Sequence, residues 1–170
     1  NKQIRGEKSM RLFIAIPLSD QMKKALIHCM HDLKKQGVSG NYVPAQNLHM
    51  TLAFIGEYDD PQKVKSVIDS IPLPKFRLSL SDKGTFGNIL WAGIKGNQKL
   101  KTYAKELQSA LTASGIPCGR KKFVPHITLI RKVYAKKPYQ IHMPKADMTV
   151  EKVALMKSER RNGKMVYTQL

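Results

Sequence analysis

Apolar and polar residues recur along the chain in two periods, and the switches between them mark out short strands and three helices. Arg11 to Ile16 is an apolar run closed by Pro17, a strand too apolar to be exposed on both faces. Met22, Ala25, Leu26, Cys29, Met30 and Leu33 then recur at three- and four-residue spacings, the inner face of a helix capped by Ser19 or Asp20 and broken by Gly37 and Gly40. Tyr42-Val43-Pro44 leads into a strand within Asn47 to Gly56. Asp60 as cap and Pro61 at the first helical position open a second helix, with Val64, Val67, Ile68 and Ile71 inward. Phe76 to Leu80 alternates as a half-buried strand, Lys83 to Phe86 reads as a second short strand, and Ile89 to Ile94 follows a turn at Gly87-Asn88. A third helix turns Leu100, Tyr103, Ala104, Leu107 and Leu111 inward and ends at Gly115. A basic loop, Cys118 to Lys122, precedes another strand, Val124 to Arg131, and a basic stretch, Lys132 to Lys137. Met148 to Lys157 reads as one strand. Arg160-Arg161-Asn162-Gly163 is a hairpin turn of the Asn-Gly kind, and Lys164 to Leu170 returns along it.

Two of these strands carry the same short pattern. Asn47 to Gly56 contains His49-Met50-Thr51-Leu52, and Val124 to Arg131 contains His126-Ile127-Thr128-Leu129. Strand side chains alternate between faces, so His49 and Thr51 share one face, opposite Met50 and Leu52; the second strand sorts the same way. Each buries an aliphatic pair and presents an imidazole and a hydroxyl. A single His-x-Thr is most often just the polar face of a strand. The other histidines are internal controls: His28, His31 and His142 are followed two positions on by Met30, Leu33 and Pro144. Arg131 has the wrong parity to share the face of His126 on a regular strand; only a bulge or the strand's end would bring it there.

The two copies lie 77 residues apart, and the apolar strands Leu12 to Ile16 and Leu90 to Ile94 match at a shift of 78. In each half a helix follows the first strand, then a proline-containing loop, then His-x-Thr-Leu. Two such units about a pseudo-twofold axis would face each other across a cleft, each contributing half a site.

Charge narrows the partner. Thirty Lys and Arg against twelve Asp and Glu give a formal net charge of +18, spread along the chain. Such a surface attracts polyanions without distinguishing RNA, DNA and acidic membrane. Two cysteines, Cys29 and Cys118, exclude a disulfide scaffold and a four-thiolate zinc site, and Cys29 falls on a helix's apolar stripe as a buried thiol. No apolar run approaches the ~20 residues that span a bilayer. A cytoplasmic, monomeric protein is expected. Residues 1–9 are polar and patternless, and Met10 looks like a natural start, so they are read as a leader outside the fold.

Opposed histidines with hydroxyls on a basic protein suit phosphodiester cleavage. One imidazole activates the attacking oxygen and the other protonates the leaving oxygen, tasks matched by a pKa of ~6.5. The threonines donate to non-bridging phosphate oxygens. Neither motif has an adjacent carboxylate or cysteine to complete a metal site, and no metal or other cofactor is expected.

Val43 to Leu52, with Phe54 and Gly56-Glu57, resembles the first signature of the 2H phosphoesterases, and Pro125 to Arg131 resembles the second. The likeness runs from Met10 to Leu170 and is greatest to the RNA 2',3'-cyclic phosphodiesterases, also called the 2'-5' RNA ligase family. It implies an α+β bilobal fold, two antiparallel sheets facing a central cleft with helices outside. It implies hydrolysis of a 2',3'-cyclic phosphate on RNA ends or small cyclic nucleotides to a 2'-phosphate, with His49 as proton donor and His126 as proton acceptor; Thr51 and Thr128 are expected to bind the substrate, and Arg131 too where a bulge or the strand's end turns it there. The alternatives are a ligase joining 2',3'-cyclic phosphate to 5'-hydroxyl ends and a non-catalytic RNA-binding module.

Overall fold

The computed structural model describes residues 9–119 and 122–170. Residues 1–8 of the expected leader, and Arg120 and Lys121 of the basic loop, lie outside the described residues.

Nine strands and three helices are found there: β1 (Met10–Pro17), α1 (Asp20–Lys35), β2 (Ser39–Tyr42), β3 (His49–Tyr58), α2 (Pro61–Ser70), β4 (Arg77–Phe86), β5 (Ile89–Ile94), α3 (Gln98–Ala113), β6 (His126–Tyr134), β7 (Asp147–Thr149), β8 (Ala154–Arg161) and β9 (Lys164–Gln169). A 3-10 turn, Ala45–Asn47, precedes β3. Each helix starts where a short polar side chain accepts a first-turn N–H that the helix itself leaves unpaired: Ser19 from Met22 (3.1 Å), Asp60 from Lys63 (3.1 Å) and Asn97 from Leu100 (3.2 Å).

The strands form two antiparallel sheets, ordered β3-β1-β8-β9 and β2-β6-β5-β4-β7. The repeated units give the pairs β1·β3 and β5·β6. The halves then interlace: β2, from the first half of the chain, borders β6, while the C-terminal hairpin β8–β9 borders β1. Helix α1 touches β7, α2 touches β8, and α3 touches β3. Met50, Leu52, Ile127 and Leu129, the aliphatic partners of the His-x-Thr pattern, are at most 2% exposed within one continuous apolar cluster. Full burial of such a side chain stabilises by roughly 1.5–3 kcal/mol. The pattern that presents the polar face therefore also holds the strand in place.

The structure departs from the sequence reading in four places. Ser39–Tyr42 is an edge strand on β6 rather than a break. Gly40 fits there only as glycine: its φ is +143°, and a Cβ would lie 2.7 Å from Ile130 Cγ2 and 2.9 Å from the Arg131 carbonyl oxygen. The two short strands expected before Gly87 are one strand, β4, with a register shift between Leu80 and Lys83. The single strand expected at Met148 to Lys157 is two: β7 pairs with β4 and β8 with β1, in different sheets. Finally, the pairing register slips relative to the sequence repeat. Thr51 faces Ala15 and Thr128 faces Trp91, an offset of 76 between the opening strands where the residues align best at 78. A slip of two keeps every side chain on its own face.

Candidate active site

Both motifs open onto one cleft of about 1350 Å³, lined from one sheet by His49, Thr51 and Phe54 and from the other by His126, Thr128 and Arg131. All five predicted site residues are together there.

The two imidazoles are held in the same way. His49 Nδ1 lies 2.7 Å from the Asn47 carbonyl oxygen and His126 Nδ1 lies 2.6 Å from that of Val124, each two residues back. A carbonyl only accepts, so Nδ1 carries the proton in both rings and a neutral ring turns its bare Nε2 to the cleft. Asn47 is the one buried polar residue among those described, 5% exposed, and its Nδ2 donates to the Met165 carbonyl oxygen at 3.0 Å. One residue thus ties the first motif to the C-terminal hairpin.

Aromatic rings confine the imidazoles. His49 sits 4.9 Å from Phe13 and meets Tyr167 edge-on at 5.3 Å between centroids. His126 meets Phe86 edge-on at 5.1 Å and lies 5.5 Å from Trp91. Gly84 makes room for that indole, since a Cβ there would fall 2.1 Å from Trp91 Cη2.

Two features break the symmetry. Thr51 Oγ1 is 2.8 Å from His49 Nε2, whereas His126 Nε2 has no hydrogen-bond partner among the described residues. His49 is also held below its ordinary imidazole pKa, chiefly by burial; the Asn47 carbonyl opposes this, while the charges of Arg131 and His126 add to it.

Arg131 reaches the cleft by a bulge. Leu90 pairs with Ile130 and Trp91 with Thr128, which leaves Leu129 without a partner on β5. Leu129 and Ile130 are both buried, and after this extra residue Arg131 regains the face of His126 and Thr128. The same device occurs at the equivalent place in β3. Ala53 and Thr51 pair with Ile14 and Ala15, Leu52 is the extra residue, and Phe54 is returned to the cleft, 64% exposed. Phe54 and Arg131 are therefore counterparts, 77 positions apart.

Sequence reasoning missed Phe54, Phe13, Tyr167, Trp91, Phe86 and the role of Asn47. The parity failure at Arg131 was one available signal, because it applies equally to Phe54; the place of Phe54 and Asn47 in the first signature was another.

Among the described residues five Lys and Arg line the cleft (Arg11, Lys34, Arg131, Arg160 and Lys164) and no Asp or Glu does. No group of three or more His, Cys, Asp or Glu placed to hold a metal ion occurs among the described residues. No helix of the described residues is long and apolar enough to cross a membrane.

Two antiparallel sheets with paired imidazole and hydroxyl faces on one anion-attracting cleft define a phosphoesterase of the 2H type. A family profile described as the 2'-5' RNA ligase superfamily matches residues 23–162, and the chain belongs to that superfamily. Among curated proteins, the RNA 2',3'-cyclic phosphodiesterase of Escherichia coli is 35% identical over 126 residues, 71% of this chain and 71% of its own. That of Thermotoga maritima is 28% identical over 164 residues, 88% of this chain and 87% of its own. The crystal structure of E. coli LigT complexed with 3'-AMP superposes with a TM-score of 0.80 at 29% identity, covering 96% of this chain and 95% of that one. A Thermus thermophilus structure, TT0787, gives 0.79 at 28% identity, with 95% of each chain covered.

Proposed function

We propose that the protein hydrolyses 2',3'-cyclic phosphates at RNA ends to 2'-phosphates by metal-independent acid–base catalysis. The observation that carries this reading is the pair of imidazoles, each committed through Nδ1 to a backbone carbonyl and each turning Nε2 into one cationic cleft.

The roles of the two histidines are those that the resemblance to the 2H phosphoesterases implies. Water attacks phosphorus and His126 Nε2 takes its proton. The bond from phosphorus to the 3' oxygen breaks, and that oxygen receives a proton from His49 Nε2. The product is a 2'-phosphate with a free 3'-hydroxyl. The Thr51 and Thr128 hydroxyls donate to the non-bridging oxygens, where charge accumulates, and Arg131 offsets it. The aromatic rings keep the imidazoles in place and limit water. Phe54, exposed in the cleft, offers a face on which the terminal base stacks. The names of the curated relatives support the substrate class, and the donor set around the histidines supports independence from metal.

The test uses a substrate whose 3' bridging oxygen is replaced by sulfur, assayed in excess chelator. A thiolate leaves with little or no protonation. His49→Ala is expected to lose ~100- to 10,000-fold on the oxygen substrate and to recover most of it on the sulfur one, while His126→Ala stays slow on both. Rescue of His126→Ala instead would reverse the roles. Activity abolished by chelator and returned only by a divalent ion would overturn the metal-free mechanism. Joining of ends in place of hydrolysis, at equal concentrations of cyclic-phosphate and 5'-hydroxyl ends, would assign the ligase direction.

A further inference from the structure

We propose that the tip of the β8–β9 hairpin is a phosphate-binding subsite for the nucleotides 5' of the cyclic end. The preferred substrate is then an oligoribonucleotide rather than a cyclic mononucleotide. The inference rests on the function proposed above and adds to it where the rest of the strand lies.

The first observation is electrostatic. The tip reads Arg160-Arg161-Asn162-Gly163-Lys164, with Asn162 at φ 52° and Gly163 at φ 76°, the left-handed pair that a tight two-residue turn requires. Arg161 is paired directly across the hairpin from Lys164. Like charges placed opposite one another destabilise a strand pair. Glu159 relieves this in part, at Arg161 only. Glu159 lies 2.5 Å from Arg161 and 3.7 Å from Lys157, and among the described residues neither Arg160 nor Lys164 has a carboxylate within 4.0 Å. Two of the tip's three cations, Arg160 and Lys164, thus have no carboxylate partner among the described residues, and an external polyanion would offset their charge.

The second observation is placement. Arg160, Gly163 and Lys164 line the same cleft as the two histidines. The hairpin is anchored below its tip, by Met165 to Asn47 and by Tyr167 against the His49 ring, so the tip is carried by the element that supports the first motif.

The third is size and charge sorting. At about 1350 Å³ the cleft exceeds the ~300–1,000 Å³ of a site for a single small ligand. A second groove of about 800 Å³ adjoins it through Arg11, Ser158, Arg160 and Met165, but that groove is also lined by Glu57, Asp59 and Glu159. Among the described residues no Asp or Glu lines the cleft. A strand leaving the cyclic end therefore follows the cleft to the hairpin tip.

The test reads binding, so its outcome does not depend on turnover. Affinity for a 2'-phosphorylated tetraribonucleotide is compared with that for a nucleoside 2'-phosphate, in the native protein and in the double variant Arg160→Ala/Lys164→Ala. The native protein is expected to prefer the oligonucleotide by at least about tenfold at low salt, and the double variant should bring that ratio to within about threefold. Loss of two single-strand phosphate contacts should also flatten the log-affinity against log-salt slope by about 1.4. The charge-conserving variant Arg160→Lys/Lys164→Arg should retain the preference, which separates loss of charge from a misfolded hairpin. A ratio unchanged in the alanine variant would overturn the proposal, as would equal losses for both ligands. Failure to hydrolyse cyclic phosphates would overturn the proposed reaction and leave this binding result standing.

Discussion

Removing the two threonine hydroxyls one at a time should expose the difference between two sites that look alike. Each threonine lies two residues beyond its histidine on the same strand face, but only Thr51 contacts its imidazole in the resting protein, at 2.8 Å from Nε2. His49 Nδ1 donates to Asn47, so neutral Nε2 accepts from the Thr51 hydroxyl, and that bond favours the neutral ring. It must break before His49 can carry the proton it is to give away. Thr128→Ala removes one transition-state donor, a loss of ~100- to 1000-fold in turnover, or about 2.7–4 kcal/mol. Thr51→Ala removes an equivalent donor but also abolishes a ground-state bond worth ~0.5–1.5 kcal/mol net, so its loss should be about 2- to 12-fold smaller. It should also move the falling limb of kcat/KM to higher pH, because the neutral form of His49 is no longer favoured; Thr128→Ala should leave that limb in place. The assay is initial-rate kinetics on a 2',3'-cyclic mononucleotide across the imidazole range, with Thr→Ser as the control that keeps each donor. Near-native turnover in both alanine variants would refute phosphate contact by either hydroxyl. A limb displaced by Thr128→Ala and not by Thr51→Ala would refute the coupling to His49.

The lowered basicity of His49 makes a second prediction. An acid must be protonated to act, so kcat/KM should fall as pH rises through a value below the ordinary ~6.5, whereas bound phosphate offsets the charges of Arg131 and His126 and should move the falling limb of kcat to higher pH; coincident limbs would refute it. Phe54→Ala should cost about 1–3 kcal/mol in binding a cyclic nucleotide and almost nothing for the same cyclic phosphate on a base-free ribose, so equal losses on the two would show that Phe54 does not stack on the base.

Much of this site was legible because two periodicities coincide in it. Each His-x-Thr pair lies on a strand with fully buried aliphatic partners, so one apolar pattern reports both the strand and the direction of its polar face. The helices were legible for a similarly local reason, since their caps and inner faces lie within a few residues of one another. What was hidden depends on contacts distant in sequence. β2 has no apolar pattern, and its partner β6 lies about 90 residues on, so Gly37 and Gly40 read as breaks although Gly40 is required by close approach to that partner. The division of β7 from β8 leaves no mark in the hydropathy of Met148 to Lys157, because both ends are strand-like and only the sheet they join differs. The rings around the histidines come from β1, β4, β5 and β9, and no short window of sequence contains them together.

The pseudo-twofold accounts for two similar histidines but not for the proposed reaction, in which one gives a proton and the other takes one. The asymmetry sits where strand parity fails. In each motif strand the residue after His-x-Thr is a buried bulge, Leu52 or Leu129, and the next cleft-facing side chain is Phe54 in one half and Arg131 in the other. Burial does most to lower the basicity of His49, and from the strand of His126 the Arg131 charge adds to it across the cleft. A proton held less tightly is given up more readily, so this cation strengthens His49 as an acid while also facing the phosphate. The counterpart on the strand of His49 is an uncharged ring, available to a base instead. Beside the burial of His49 and its bond to Thr51, this pair of positions is a further difference between the duplicated units, and the bulges that hide it from a period-two reading are what bring both side chains to the cleft.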